Sequence, residues 1–230
     1  MTQGELEKLP LGIQKAFSEL EMRIMSDIVR WIKENGFVND SAEWQISRLQ
    51  QLGESQENIM QWIQEALQIS DDQLVQIFSD QTYEEYTGHE KEYKATDTEF
   101  IPYEENKELQ QTVEASREQT GNTFRNMTGS LGFALVDPGT KKITYSPLRE
   151  FYEKTLDNAI MDIQSGAFSY SEVLKRTINK MTTSGVRWID YESGVHNRVD
   201  VAARRAVLTG FRQVQGKISE QVADELQTDY

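Results

Sequence analysis

Arginines and aromatic residues occur together between positions 187 and 212, a combination that suits contact with nucleic acid or with a protein partner. The residues that carry this pattern are Arg187, Trp188, Tyr191, Arg198, Arg205 and Arg212. Guanidinium groups bind phosphates and aromatic rings stack on bases. The surrounding segment, residues 172–217, holds nine basic and four acidic side chains, a balance of +5. An excess of this size predicts weak DNA contact that does not depend on base sequence.

The same arginines have an alternative, structural interpretation. Some of them would form ion pairs that fix the local structure, and the available acidic partners are Asp190, Glu192 and Asp200. We expect such pairing for Arg204, which lies nearer to the apolar side of its helix. The choice stays open for Arg205 and Arg212.

Side chains for catalysis or metal binding are sparse. Cysteine is absent, which excludes disulfides, thiolate metal sites and a cysteine nucleophile. His89 and His196 are far apart, and neither has a ligand partner four residues further on. A lone histidine in a hairpin is usually a surface residue, so we expect no metal site and no cofactor. The Gly-x-Ser-x-Gly pattern of a hydrolase nucleophile is missing too.

A hairpin and a long helix are the elements that would position the arginines. Two β-branched and aromatic runs, Val186–Tyr191 and Val195–Val199, flank Glu192-Ser193-Gly194 and predict a β-hairpin. Asp200 would accept hydrogen bonds at the start of the helix that follows. The apolar seam of this helix consists of Ala203, Val207, Phe211, Val214, Ile218 and Val222.

Two further features of this helix follow from its periodicity. Arg205 and Arg212 are seven residues apart, so they share a face that lies opposite the seam. Gly210 borders the seam, although glycine inside a helix costs about 1 kcal/mol relative to alanine. We therefore expect another element to approach closely at Gly210.

Helical patterns dominate the rest of the chain. A first helix is predicted from Pro10 to Asn35, stopped by Gly36, with an apolar series at positions 13, 17, 20, 24, 28 and 31. Later helix starts are predicted at Asp40 or Ser41, Ser55, Ser70, Ser146-Pro147 and Ser169 or Ser171, with Gly53 as a stop. Residues 133–136 and 142–145 suit a small hairpin or an irregular loop. The predicted fold is mainly α, a multi-helix protein with one small β-hairpin before a long C-terminal helix.

Charge and composition divide the chain. Residues 1–120 hold 25 acidic and 10 basic side chains, whereas residues 121–230 hold 13 acidic and 14 basic. The polar stretch 87–103 predicts a linker, so we expect an acidic helical region over 1–95 and a helical region with the hairpin over 96–230. An acidic half suits a solvated surface or a basic protein partner. Neither a secretory signal nor an uninterrupted apolar run of about 18 residues is visible, so no membrane contact is expected.

The motif around the hairpin is similar to that of a known family. The order Trp-Ile-Asp-Tyr-x-Ser-Gly, followed by Val-Asp-x-Ala-Ala-Arg-Arg-x-Val-Leu-Thr-Gly, resembles the phage minor capsid protein 2 family. These are head-morphogenesis proteins of tailed phages and prophages, comparable in role to MuF-type minor head proteins. The resemblance covers residues 122–226, is strongest over 185–210 and is poor before about residue 100. Relatives usually continue into a C-terminal module that the sequence to Tyr230 lacks, so that module's role is not carried over.

The resemblance implies a structural minor capsid protein of the virion rather than an enzyme. It would be made in the host cytoplasm and lie at the portal vertex of the phage head, in contact with the portal and other capsid proteins. There it would act in head assembly, DNA packaging or retention, or ejection. One alternative is a toxin or an ADP-ribosyltransferase-like enzyme, because related head proteins carry such fusions and Glu-x-Glu pairs occur at residues 5/7, 19/21 and 90/92. Another is a generic helical adaptor.

Overall fold

The computed structural model describes residues 1–35, 42–137, 139–189 and 196–227, and these are mainly helical. One short segment, Ile77–Gln81, is π-helical. The elements in chain order are α1 (Gln3–Leu6), α2 (Leu11–Asn35), α3 (Ala42–Gln76), α4 (Thr82–Gly88), α5 (Glu90–Ala95), α6 (Lys107–Gly129), β1 (Leu131–Val136), β2 (Ile143–Pro147), α7 (Leu148–Gln164), α8 (Tyr170–Ser184), β3 (Val186–Ile189), β4 (His196–Arg198) and α9 (Val199–Leu226). The predicted fold class is confirmed.

The predicted hairpin before the long C-terminal helix is confirmed and belongs to a larger sheet. β3 pairs antiparallel with β4, and β1 pairs antiparallel with both β2 and β3, which gives the order β2-β1-β3-β4. The pairing of β1 with β3 joins segments about fifty residues apart, which local periodicity does not reveal. The hairpin loop lies outside the described residues, as do Gly36 and the predicted helix start at Asp40 or Ser41.

Helix α3 replaces three shorter predicted helices. The predicted boundaries that fall inside it are Gly53, Ser55 and Ser70. Ser55 and Ser70 are buried, so their small side chains allow close packing instead of capping a helix. The sequence Ser70-Asp71-Asp72-Gln73 has the form of a capping box, but it lies inside α3, so no helix starts there. By contrast, Ser169, one of the two predicted starts of this helix, does cap α8, and it forms a capping box with Glu172.

The chain forms two compact units, and each draws on separate stretches of sequence. Unit 1 consists of Met1–Lys15, Leu67–Arg125 and Ala203–Tyr230, and unit 2 of Ala16–Ala66 and Asn126–Ala202. The stretch 87–103, expected to be a linker, contains α5. Its Tyr93 is fully buried and donates a hydrogen bond to Glu225, 2.6 Å away within unit 1. The division at residue 95 remains a prediction.

The core of unit 1 is built around α9. The seam predicted for this helix is buried along its whole length. Phe211 meets Phe78 edge to face, with ring centroids 6.1 Å apart. Aromatic pairs in this geometry add to the stabilisation that comes from burial alone. Local periodicity therefore identified the buried face correctly.

The core of unit 2 combines stacked rings with a buried polar group. Phe133 of β1 stacks on Phe151 of α7, with centroids 4.0 Å apart. The Tyr152 hydroxyl donates to Asp27, which is 4% exposed and also accepts from Arg30. Burial and the hydrogen bond to Asp27 raise the pKa of Tyr152. Tyrosine and arginine together satisfy a carboxylate that would be costly to bury alone.

Candidate functional site

Two of the candidate residues, Arg187 and Trp188, lie on β3 in unit 2 and are half-buried. Arg187 Nε donates to the carbonyl oxygen of Ser184 at 2.9 Å, and its Nη1 lies 3.2 Å from Nδ1 of His196. The His196 ring is 4.6 Å from the ring of Tyr145. His196 was expected at the surface, but these contacts leave it half-buried. Arg187 therefore stabilises the sheet through its own hydrogen bonds.

Arg198, on β4 of unit 2, is held between two carboxylates. Its Nη2 lies 3.0 Å from Oε2 of Glu21, and its Nε lies 3.3 Å from Oδ1 of Asp200. Glu21 is buried and also accepts a hydrogen bond from the N–H of Val186 at 3.1 Å. Burial raises the pKa of the Glu21 carboxyl, and Arg198 and the Val186 N–H oppose that rise. The structural interpretation expected Asp200 as a partner, and Arg198 does pair with it. Its contact with nucleic acid or with another protein remains a prediction.

Gly185, at the end of α8, leaves room for this charged group. Its φ of +65° favours glycine. A Cβ at this position would lie 2.8 Å from Oε1 of Glu21 and 3.4 Å from Cζ of Arg198. Both the positive φ and the close approach of the Glu21 carboxylate therefore favour glycine at this position. Gly185 thus leaves the space that the Glu21–Arg198 pair occupies.

Arg204 forms an ion pair within unit 1. Its guanidinium contacts the carboxylate of Glu7. Arg204 is paired, as expected, but with Glu7 near the other end of the sequence and not with one of the expected acidic residues. Asp190, Glu192 and Tyr191 lie outside the described residues, so the structure adds nothing on their part in the site.

Arg205 and Arg212 differ from the other arginines of the pattern. Both are exposed, and neither forms a hydrogen bond or an ion pair with a residue that the structure describes. Thr209 and Gly216 are also exposed and continue the same face of α9. We call Arg205, Thr209, Arg212 and Gly216 the exposed arginine stripe. Its two guanidinium groups are available to an anionic partner.

Sequence reasoning missed Glu21 as part of this region. It lies 177 residues before Arg198, and an acidic residue in an amphipathic helix ordinarily faces solvent. The sequence holds one weak indication that Glu21 is buried: it adjoins Leu20, which belongs to the apolar series of α2. Three of the other Glu-x-Glu carboxylates bind residues close in sequence: Glu5 to Thr2, Glu90 to Lys94 and Glu92 to His89. Glu7 instead binds the distant Arg204.

Comparison with protein families decides what kind of protein these elements belong to. The family model of phage minor capsid protein 2 matches residues 1–230. The chain belongs to the phage minor capsid protein 2 family. The match includes the acidic residues before position 100, for which the motif alone showed little resemblance. No curated protein and no solved structure matches the chain.

Family membership supports a structural role in the phage particle, together with other capsid proteins. Across the part of the chain that the structure describes, no group of three or more histidine, aspartate or glutamate residues is arranged to hold a metal ion. Likewise, none of the described helices combines the length and apolar character needed to cross a membrane.

Proposed function

We propose that this minor capsid protein is a non-catalytic component of the phage head, bound at the portal vertex. It contacts the portal and other capsid proteins and acts in head assembly, DNA packaging or retention, or ejection with the genome. The family match over residues 1–230 is the observation that carries this proposal. Synthesis in the host cytoplasm, before assembly, belongs to the same proposal.

The distribution of charge suggests which surface meets which partner. Residues 1–120 carry an excess of fifteen acidic side chains, and packaged DNA repels such a surface. We therefore assign protein contacts to this acidic half. The exposed arginine stripe of α9 is assigned to DNA, in contacts that are weak and independent of base sequence. At physiological salt such forces reach only about 8 Å, so the stripe must approach phosphates closely.

Cross-linking in purified particles tests the location. Lys8, Lys91 and Lys107 are exposed lysines of the acidic half and offer amines to a bifunctional reagent. We expect cross-links from these lysines to the portal protein, identified by mass spectrometry of the particles. Particles assembled without this protein are the control for peptide assignment. Cross-links spread evenly over the shell protein, with none to the portal, would contradict a position at the vertex.

A further inference from the structure

A polar groove of about 330 Å³ lies between α7 and α8 in unit 2, away from the residues considered above. Each helix contributes side chains at spacings of three and four residues, so both present one face to the groove. The residues that line it are Thr155, Asn158, Ala159, Asp162, Val173, Arg176, Thr177 and Lys180.

Two hydroxyl groups in the groove have no partner among the residues that the structure describes. Thr155 and Thr177 are only 6% and 7% exposed. Thr112 and Thr182, in comparable helical positions, donate to the carbonyl four residues earlier at 3.1 Å and 2.9 Å. Thr155 and Thr177 form no such bond. Neither hydroxyl oxygen is fully enclosed, so both are accessible from the groove, where a ligand would supply a partner.

The cations of the groove outnumber its carboxylates. Arg176 and Lys180 face one acidic residue, Asp162, whose Oδ2 lies 3.4 Å from Nη1 of Arg176. Lys180 Nζ lies 5.6 Å from the centroid of the Phe151 ring and pairs with no described carboxylate. Partial burial lowers the pKa of Lys180, and the charge of Arg176 lowers it further. An anion in the groove would offset both effects.

We propose that this groove binds a phosphate group through Lys180, Arg176 and the hydroxyls of Thr155 and Thr177. An ammonium, a guanidinium and two hydroxyls supply more donors than one planar carboxylate needs, and they suit the several oxygens of a tetrahedral anion. The volume exceeds that of a single phosphate, so there is room for an attached group. The phosphate can come from free inorganic phosphate or from a DNA backbone.

The test measures the affinity of two ligands for the 230-residue protein and for four variants. Inorganic phosphate and a short single-stranded oligonucleotide are titrated separately, at constant ionic strength, and amide chemical shifts give the affinity. Lys180→Met removes the ammonium but keeps the stem, and Thr177→Val removes one hydroxyl at constant volume. Lys175→Met is the control, since Lys175 is exposed on the same helix and does not line the groove.

We expect Lys180→Met and Thr177→Val each to weaken binding about tenfold, as loss of one hydrogen bond to a charged group does, while Lys175→Met leaves it unchanged. Thermal melting checks that each variant is folded. If the two groove variants lose affinity only for inorganic phosphate, the groove is a site for small phosphates. If they also lose affinity for the oligonucleotide, the DNA backbone is a source of the bound phosphate. Binding of neither ligand, or equal loss in the Lys175 control, would overturn the proposal. A variant with Arg205 and Arg212 both changed to glutamate should still bind inorganic phosphate, which separates this groove from the α9 stripe.

Discussion

Gly210→Leu should destabilise the protein by about 3 kcal/mol, the upper part of the usual range for overpacking a core. Gly210 is buried on α9, and α6 approaches it closely. A Cβ there would overlap Thr120 Oγ1 and lie 3.1 Å from Cζ of Phe78. The Thr120 hydroxyl is held by the carbonyl of Ser116 at 2.8 Å, so it does not move aside without losing that bond. The close approach predicted at Gly210 is confirmed, and its energetic consequence remains to be measured.

Gly216→Leu is the matched control for that experiment. Gly216 is exposed on the same helix, and an added Cβ would meet no atom within 4 Å. Leucine is the better helix former, so this change should stabilise the protein by roughly 0.8 kcal/mol. Urea denaturation of both variants gives the two free energies of unfolding. Equal effects of the two substitutions would show that α6 does not restrict the space at Gly210.

Changing Arg205 and Arg212 together to glutamate should remove most of the DNA affinity of the isolated protein. Each arginine that neutralises a phosphate releases counterions, so the logarithm of the binding constant depends on the logarithm of salt concentration. Loss of two contacts should reduce that slope by about 2. Both side chains are exposed, so we expect the fold and its stability to stay the same.

Fluorescence anisotropy with duplex DNA over a salt series measures both quantities. The control is Lys91→Glu with Lys107→Glu, which makes the same change in net charge at two exposed positions of the acidic half. If this control lost as much affinity, the effect would reflect overall charge rather than the α9 stripe. If the unmodified protein bound no DNA even at low salt, the stripe would face a protein instead.

The helices could be predicted from the sequence where the residues that define them are only three or four positions apart. The seam of α9 and the apolar series of α2 repeat every three or four residues, and both are buried. The same periodicity predicts correctly that Arg205 and Arg212 lie on the exposed face of α9. The helix start at Ser169 was predictable for a similar reason, because the two residues of its capping box are only three positions apart.

Contacts between distant segments were not predictable. Serine at positions 55 and 70 suits a helix cap or a tightly packed interior equally well, and only the packing of α3 decides between them. Arg187, Arg198 and Arg205 have the same chemistry in the sequence. Glu21 pairs with Arg198 from 177 residues away, and His196 contacts Arg187 across the sheet, so their different surroundings are not evident from the sequence. Contact of either arginine with DNA remains a prediction.

Quantitative mass spectrometry of purified, nuclease-treated particles tests the central claim most directly. If the protein is a minor component of the phage head, its peptides should be present in mature particles at far lower abundance than those of the major capsid protein. They should also be retained after the particles are washed at high salt. Abundant peptides in the infected-cell lysate with none in mature particles would contradict a structural role in the head.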